Sequence, residues 1–189
     1  MRILAFLLLL AAATPWEASS QFPEDVRQRL MRQVTRLSPA VFRDLPEPVV
    51  QELNHRGCRI PQLWNDPKPH NVIRGEFTQA GQVDWAALCS VKGFSSILVF
   101  RNGTGLDPVQ LARQEDSLEF IEGLNSDKVG NNRIIYPAGQ RDIMGHWTKH
   151  GGPKPPPIGH QGIEDGHAEK GSSVHYYYQG KWRVLTGSD

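Results

Sequence analysis

Beyond residue 70 the chain is built from short runs of β-branched and aromatic residues separated by glycines, and this pattern constrains the fold most. Val72 to Phe77, Val83 to Ser90 and Ser96 to Phe100 are such runs, with Gly81, Gly93 and Gly103 between or after them. Runs of this length and composition predict an antiparallel meander. Leu118 to Ile121 and Arg133 to Tyr136 are weaker strand candidates around a polar stretch, Asn125 to Asn132, expected to be an exposed loop. Near the C-terminus, Val174 to Tyr178 and Lys181 to Leu185 flank Gln179-Gly180, the pattern of a β-hairpin.

The N-terminal third follows a different period. Phe22, Val26, Leu30, Met31, Val34 and Leu37 recur at steps of three and four, and Pro23 suits a first helical turn, so one amphipathic helix is expected. Arg27, Arg29, Arg32 and Arg36 then form its solvated face. Ser38-Pro39 starts a short second helix over about 39 to 44, and a third near 48 to 55 turns Val49, Val50 and Leu53 inward before stopping at Gly57. Together these elements give an α+β fold: N-terminal helices packed on an antiparallel sheet, with a C-terminal β-hairpin. The helical part is 21–57 and the mainly β part 58–189. Within the latter, Gly151-Gly152-Pro153-Lys154-Pro155-Pro156-Pro157 is read as a stiff polyproline connector.

The start of the chain reads as an export signal. Arg2 supplies a positive charge, Ile3 to Ala13 are unbroken apolar residues, Pro15 ends the run, and Ala18 and Ser20 offer the small side chains a signal peptidase needs. Residues 1–20 are therefore expected to be cleaved, leaving Gln21 first in a periplasmic or extracellular protein of one domain. The apolar run is shorter than the ~20 residues that cross a bilayer, so no membrane span is expected in the mature chain. In an oxidising compartment Cys58 and Cys89 are expected to pair. The bridge closes a loop of about 30 residues, credited with roughly 3 to 4 kcal/mol by chain entropy. Two isolated cysteines lack the spacing of a zinc finger. A formal net charge of +1 lacks the basic excess of a phosphate-backbone binder, so no nucleic-acid partner is expected.

Two resemblances arise from particular residues. Gly75-Glu76-Phe77 followed by Gly81-Gln82-Val83-Asp84-Trp85-Ala86 resembles the strand–loop–strand phrase of FG-GAP repeats, with a fainter echo in His160-Gln161-Gly162-Ile163-Glu164-Asp165-Gly166. In those repeats the loop holds calcium through carboxylates; here Thr78-Gln79-Ala80 supplies none, so the likeness implies the geometry without the ion. Gly57-Cys58-Arg59-Ile60-Pro61-Gln62, Asp84-Trp85-Ala86-Ala87-Leu88-Cys89, the glycine-proline connector and Tyr176 to Asp189 resemble an uncharacterised group of predicted secreted bacterial proteins. That resemblance implies export and no particular activity.

The chain has no Gly-x-Ser-x-Gly elbow, phosphate-cradling glycine loop or His-Glu-x-x-His helix. His146 and His150 are four apart, a spacing that aims two imidazoles at one metal on a helix. Ile143, His146, Trp147 and His150 also form a stripe, which makes the histidines an extension of a half-buried helical face. Glu164 and Asp165 are candidate acid–base groups, or solvated acids of a glycine-flanked loop. Tyr176, Tyr177 and Tyr178 place aromatics on both faces of a strand, so Tyr176, Tyr178 and Trp182 are candidates for core packing or for binding. Asn102-Gly103-Thr104 is a glycosylation sequon without force in a bacterial protein. The expected function is that of an exported, non-catalytic domain that binds a protein or a cell-envelope component, without a cofactor. The alternative is a small metal-assisted hydrolase using His146, His150, His160 and an acid from Glu164 or Asp165.

Overall fold

A computed structural model of the protein describes residues 24–64, 66–116, 130–168 and 171–187. The export signal with its cleavage site, the strand expected at Leu118 to Ile121, and residues 125–129 lie outside the described residues.

Strands dominate the described residues. The first sheet is a meander of β3 (Val72–Gly75), β4 (Asp84–Val91), β5 (Phe94–Phe100) and β6 (Val109–Glu115), in the order β3-β4-β5-β6. The second is β7 (Arg133–Ala138), β8 (Gly162–His167), β9 (Ser172–Tyr178) and β10 (Lys181–Thr186), also sequential. A two-stranded ribbon pairs β1 (Arg36–Leu37) with β2 (Ile60–Pro61), and every pairing within these sheets is antiparallel. Three α-helices complete the described residues: α1 (Glu24–Gln33), α2 (Glu47–His55) and α3 (Gln140–His150). The expected α+β arrangement of helices packed on one sheet is therefore corrected to three antiparallel sheets with few helices.

Alternation along β4 explains why two large sheets form. Successive side chains of a strand point to opposite faces. Ala86 and Leu88 join Ile97 and Val99 of β5, Ile135 of β7 and Ile163 of β8 in one buried cluster, which places the two sheets face to face. Ala87 and Cys89 face outward and join Val49 and Leu53 of α2, with Leu98 and Phe100. A strand buried on both faces reads as a nearly continuous apolar run, as β4 does.

Tight turns fix the registers. Lys92 and Gly93 (φ 50° and 81°) connect β4 to β5, and Gln179 and Gly180 (φ 48° and 80°) connect β9 to β10. Two residues at positive φ are what a type I′ hairpin turn requires. Gly57 (φ 73°) ends α2, with the Cys58 amide donating to the Leu53 carbonyl at 2.9 Å. Cys58 and Cys89 are disulfide-bonded with Cα atoms 5.1 Å apart, which ties the end of α2 to the outer face of β4.

The two sheets are also joined by charge. Arg133 of β7 is completely buried on the inner face and grips Asp165 of β8 with two hydrogen bonds of 2.7 Å. Its remaining donors reach Ser95 Oγ at 3.1 Å and the Ala112 carbonyl at 2.9 Å. That carbonyl is available because Ala112 has φ 48° where the β5–β6 register shifts, a bulge in β6. His175 lies beside the pair, its Nε2 3.9 Å from Asp165.

α3 covers the outer face of the second sheet. It begins where the Asp142 carboxylate accepts the Gly139 amide at 2.9 Å, and it ends at Gly151 (φ 79°). The connector that follows has no regular structure, with Pro155 buried and the Ile158 amide held by Gln140 at 2.9 Å. The short helix expected over 39 to 44 is a single tight turn, Pro39–Val41.

Candidate functional site

α3 brings His146 and His150 together, with ring centroids 4.8 Å apart. The stripe they belong to packs: Ile143 and His146 are buried, and Ile143 and Trp147 meet Val174, Tyr176 and Leu185. Burial pushes the His146 pKa below its ordinary value, His150 lowers it further, and Glu164 opposes the shift. The buried Nε2 of His146 has no hydrogen-bond partner among the described residues. His160 does not join them as a ligand; its Nδ1 is 2.9 Å from the Gln161 carbonyl. No group of three or more His, Cys, Asp or Glu among the described residues could hold a metal ion.

The two acids are split by the strand that carries them. Glu164 and Asp165 lie in β8, not in a solvated loop, so they face opposite ways. Asp165 is buried between the sheets against Arg133. Glu164 faces α3 and lines a cleft of about 470 Å³ with Tyr136, Lys149, His150 and Ser172. Tyr136 stands opposite Glu164 in the β7–β8 register. Its pKa is raised, first by burial and then by Glu164 and Asp66.

The C-terminal aromatics are placed within packing contacts. Tyr176 is buried under α3, with Tyr178 packed on the same cluster. Trp182 packs against the core between the sheets and meets Tyr177 edge-on at 5.6 Å.

A cationic site that the sequence reading passed over surrounds the β4–β5 turn. A cleft of about 550 Å³ on one side is lined by Arg32 of α1, Arg36 of β1, Arg59 and Lys92. Arg36 Nη1 donates to the Met31 and Val34 carbonyls at 3.0 and 3.3 Å, and Arg59 donates to the Arg36 carbonyl at 3.3 Å. These bonds hold two guanidinium groups in one neighbourhood. Burial lowers the Arg36 pKa and the nearby Asp116 carboxylate, 3.9 Å away, opposes that shift. Asp116 is itself buried and accepts the Ser90 hydroxyl. On the other side of the turn, a groove of about 470 Å³ is bordered by Arg56, Lys92 and Arg113. The Arg113 guanidinium carbon lies 3.8 Å from the centroid of the Phe94 ring.

The loop that resembles an FG-GAP phrase closes on itself. The Asp84 carboxylate accepts from the Phe77 and Thr78 amides, the Thr78 hydroxyl, the Gln82 side chain and the Asn102 amide at 2.7 to 3.1 Å. Its lone pairs are thus committed to the protein. The two echoes are neighbours: the Glu76 amide donates to the Gln161 side chain at 3.0 Å and the Gln161 amide to the Glu76 carbonyl at 2.8 Å. Compared with known proteins, the chain matches no family model, no curated protein and no solved structure.

Proposed function

We propose that this is an exported, non-catalytic binding domain whose ligand is an anionic component of the cell envelope, held at the β4–β5 turn. The observation that carries this reading is the convergence of Arg32, Arg36, Arg59 and Lys92 on one cleft from separate elements. Glu115 and Asp116 line the same cleft, Asp116 3.9 Å from Arg36, so the four cations leave an excess of positive charge there that an anionic ligand would meet. The disulfide and the signal-like N-terminus support an oxidising, exported setting, as does the resemblance to predicted secreted proteins. The test is retention of the oxidised protein on dextran sulfate beads against neutral dextran. Retention is expected on the charged polymer alone, weakening as salt rises. Reversing two exposed cations, Arg59→Glu with Lys92→Glu, should weaken it by roughly tenfold, the factor given by about 1.4 kcal/mol. Equal retention on both polymers would sink the reading.

A second reading has its own observation: Tyr136, His150 and Glu164 line one cleft. It is a hydrolase using Glu164 for acid–base chemistry, with His150 beside it. Hydrolysis of a chromogenic ester or phosphoester that disappears in Glu164→Gln would favour it. Stoichiometric zinc lost on His146→Ala or His150→Ala would restore the metal-assisted form.

A further inference from the structure

We infer that the groove on the outer face of β4–β6 receives the acyl chain of an anionic envelope lipid, whose headgroup lies between Lys92 and Arg113. This rests on the proposed anion-binding reading and names the ligand class. The groove has an apolar floor made by Cys89, Val91, Phe94 and Leu98. Cys89 and Leu98 belong to the core beneath, while Phe94 is 37% exposed, with the Arg113 guanidinium over its ring. None of the groove's lining residues is a carboxylate, whereas Arg56, Lys92 and Arg113 are cations. Arg56 is engaged by Glu52 at 2.6 Å, and Arg113 lies over the Phe94 ring with no carboxylate among the groove's lining residues, so Lys92 and Arg113 are the cations a headgroup would meet. Glu115, opposite Phe94 in the β5–β6 register, lines the neighbouring cleft instead. An apolar floor under cations fits a ligand with a hydrocarbon body and a negative end. A purely polar polyanion would leave the floor wet, and a neutral amphiphile would leave the cations unmatched.

Lys92 lines both the groove and the arginine-rich cleft, so the two share a wall at the β4–β5 turn. A lipid lying in the groove would present its headgroup toward the larger cationic cleft, where further anionic groups of the same envelope surface could be met. The disulfide lies beneath this arrangement, since Cys89 lines the groove and Cys58 fixes the end of α2 that carries Arg56.

The test is calorimetric titration of the oxidised protein with dodecyl phosphate below its micelle concentration. Inorganic phosphate and dodecyl maltoside serve as controls, and octyl phosphate tests the chain. Dodecyl phosphate is expected to bind at least about tenfold more tightly than either control, and lengthening the chain should tighten binding by up to roughly fourfold per buried methylene. Gln110→Trp, at an exposed position lining the groove, fills it without removing a cation. It should weaken dodecyl phosphate binding by about tenfold and leave retention on dextran sulfate unchanged. Binding no tighter than that of inorganic phosphate or dodecyl maltoside overturns the inference, as does unchanged binding in Gln110→Trp. Dextran sulfate retention without amphiphile binding removes this inference alone, whereas loss of both removes the anion-binding reading with it.

Discussion

Replacing Arg133 with methionine should be the most damaging single change in the interior, and the geometry gives its size. Arg133 is completely buried and supplies both hydrogen bonds to the Asp165 carboxylate, as well as those to Ser95 and the Ala112 carbonyl. Methionine fills much of the volume but donates nothing. Asp165 would then be a buried carboxylate without its cation, a loss of about 3 to 5 kcal/mol. The Ser95 hydroxyl can rotate, but the Ala112 carbonyl cannot easily leave its bulge, which adds about 1 kcal/mol. A total of about 5 kcal/mol corresponds to a fall in melting temperature of roughly 10 to 20 °C for a domain of this size. Urea unfolding read by fluorescence would measure it.

Two controls separate this explanation from simple loss of packing. Arg133→Met with Asp165→Leu removes both charges, and should recover most of the lost stability because a buried pair gains little over apolar residues of similar volume. The pH dependence is a second check. Burial holds the His175 pKa below its ordinary value; Asp165 raises it and Arg133 lowers it. Without Arg133 the last effect vanishes, so His175 gains a proton more readily, 3.9 Å from the abandoned carboxylate. The variant's deficit should therefore shrink on going from about pH 8 to about pH 5.5. A single substitution costing less than about 1 kcal/mol, or a double variant no better than the single, would refute the reasoning.

Other outcomes follow from the same structure. Opening the Cys58–Cys89 loop, with a sequence separation of 31, should cost about 3 to 4 kcal/mol in urea unfolding of a Cys58→Ala, Cys89→Ala variant. Asp84→Ala should destabilise the protein by about 3 kcal/mol and speed hydrogen exchange at the Phe77, Thr78 and Asn102 amides; added calcium should leave the wild-type melting temperature unchanged. His146 and His175 both have folded pKa values below the ordinary 6.5, so the unfolded chain binds more protons in that window. Their contribution to stability is present above pH ~6.5 and is lost as pH falls through the folded values, which urea midpoints across pH would show, with a shallower fall in His146→Leu.

What was legible in the sequence depended on local determinants. Gly93 and Gly180 announce their hairpins because a two-residue turn with both positions at positive φ favours glycine at the second. Gly57 announces the end of α2 in the same way. β6 escaped notice because Ala112, in the bulge, shifts the alternation midway along Val109–Glu115. β8 looked like a loop because Gly162 and Gly166 flank two acids. It is a strand for reasons that lie elsewhere in the chain. A Cβ at Gly162 would come within 2.6 Å of the His175 carbonyl, so the approach of β9 requires glycine there, and Asp165 is drawn inward by Arg133. The error in fold class has the same origin: the two strands read as loop or passed over, β6 and β8, complete the first sheet and build the second.

The cationic cleft was illegible because no stretch of sequence contains it. Arg32 and Arg36 read as the outer face of a helix, and Arg59 and Lys92 stand far from them and from each other along the chain. Three pairings gather them. β1 joins β2 through Arg36 opposite Pro61, which brings Arg36 beside the residues after α2. The Cys58–Cys89 bridge, with Arg59 paired to Ser90 in the next position, sets those residues against the end of β4. The type I′ turn then places Lys92 at the edge of the cleft. Each pairing satisfies backbone or thiol groups with no regard to charge, yet together they leave four cations and two carboxylates, Glu115 and Asp116, around one opening. The disulfide thus has two consequences: it holds α2 to the sheet, and it positions Arg59 at the edge of the cleft.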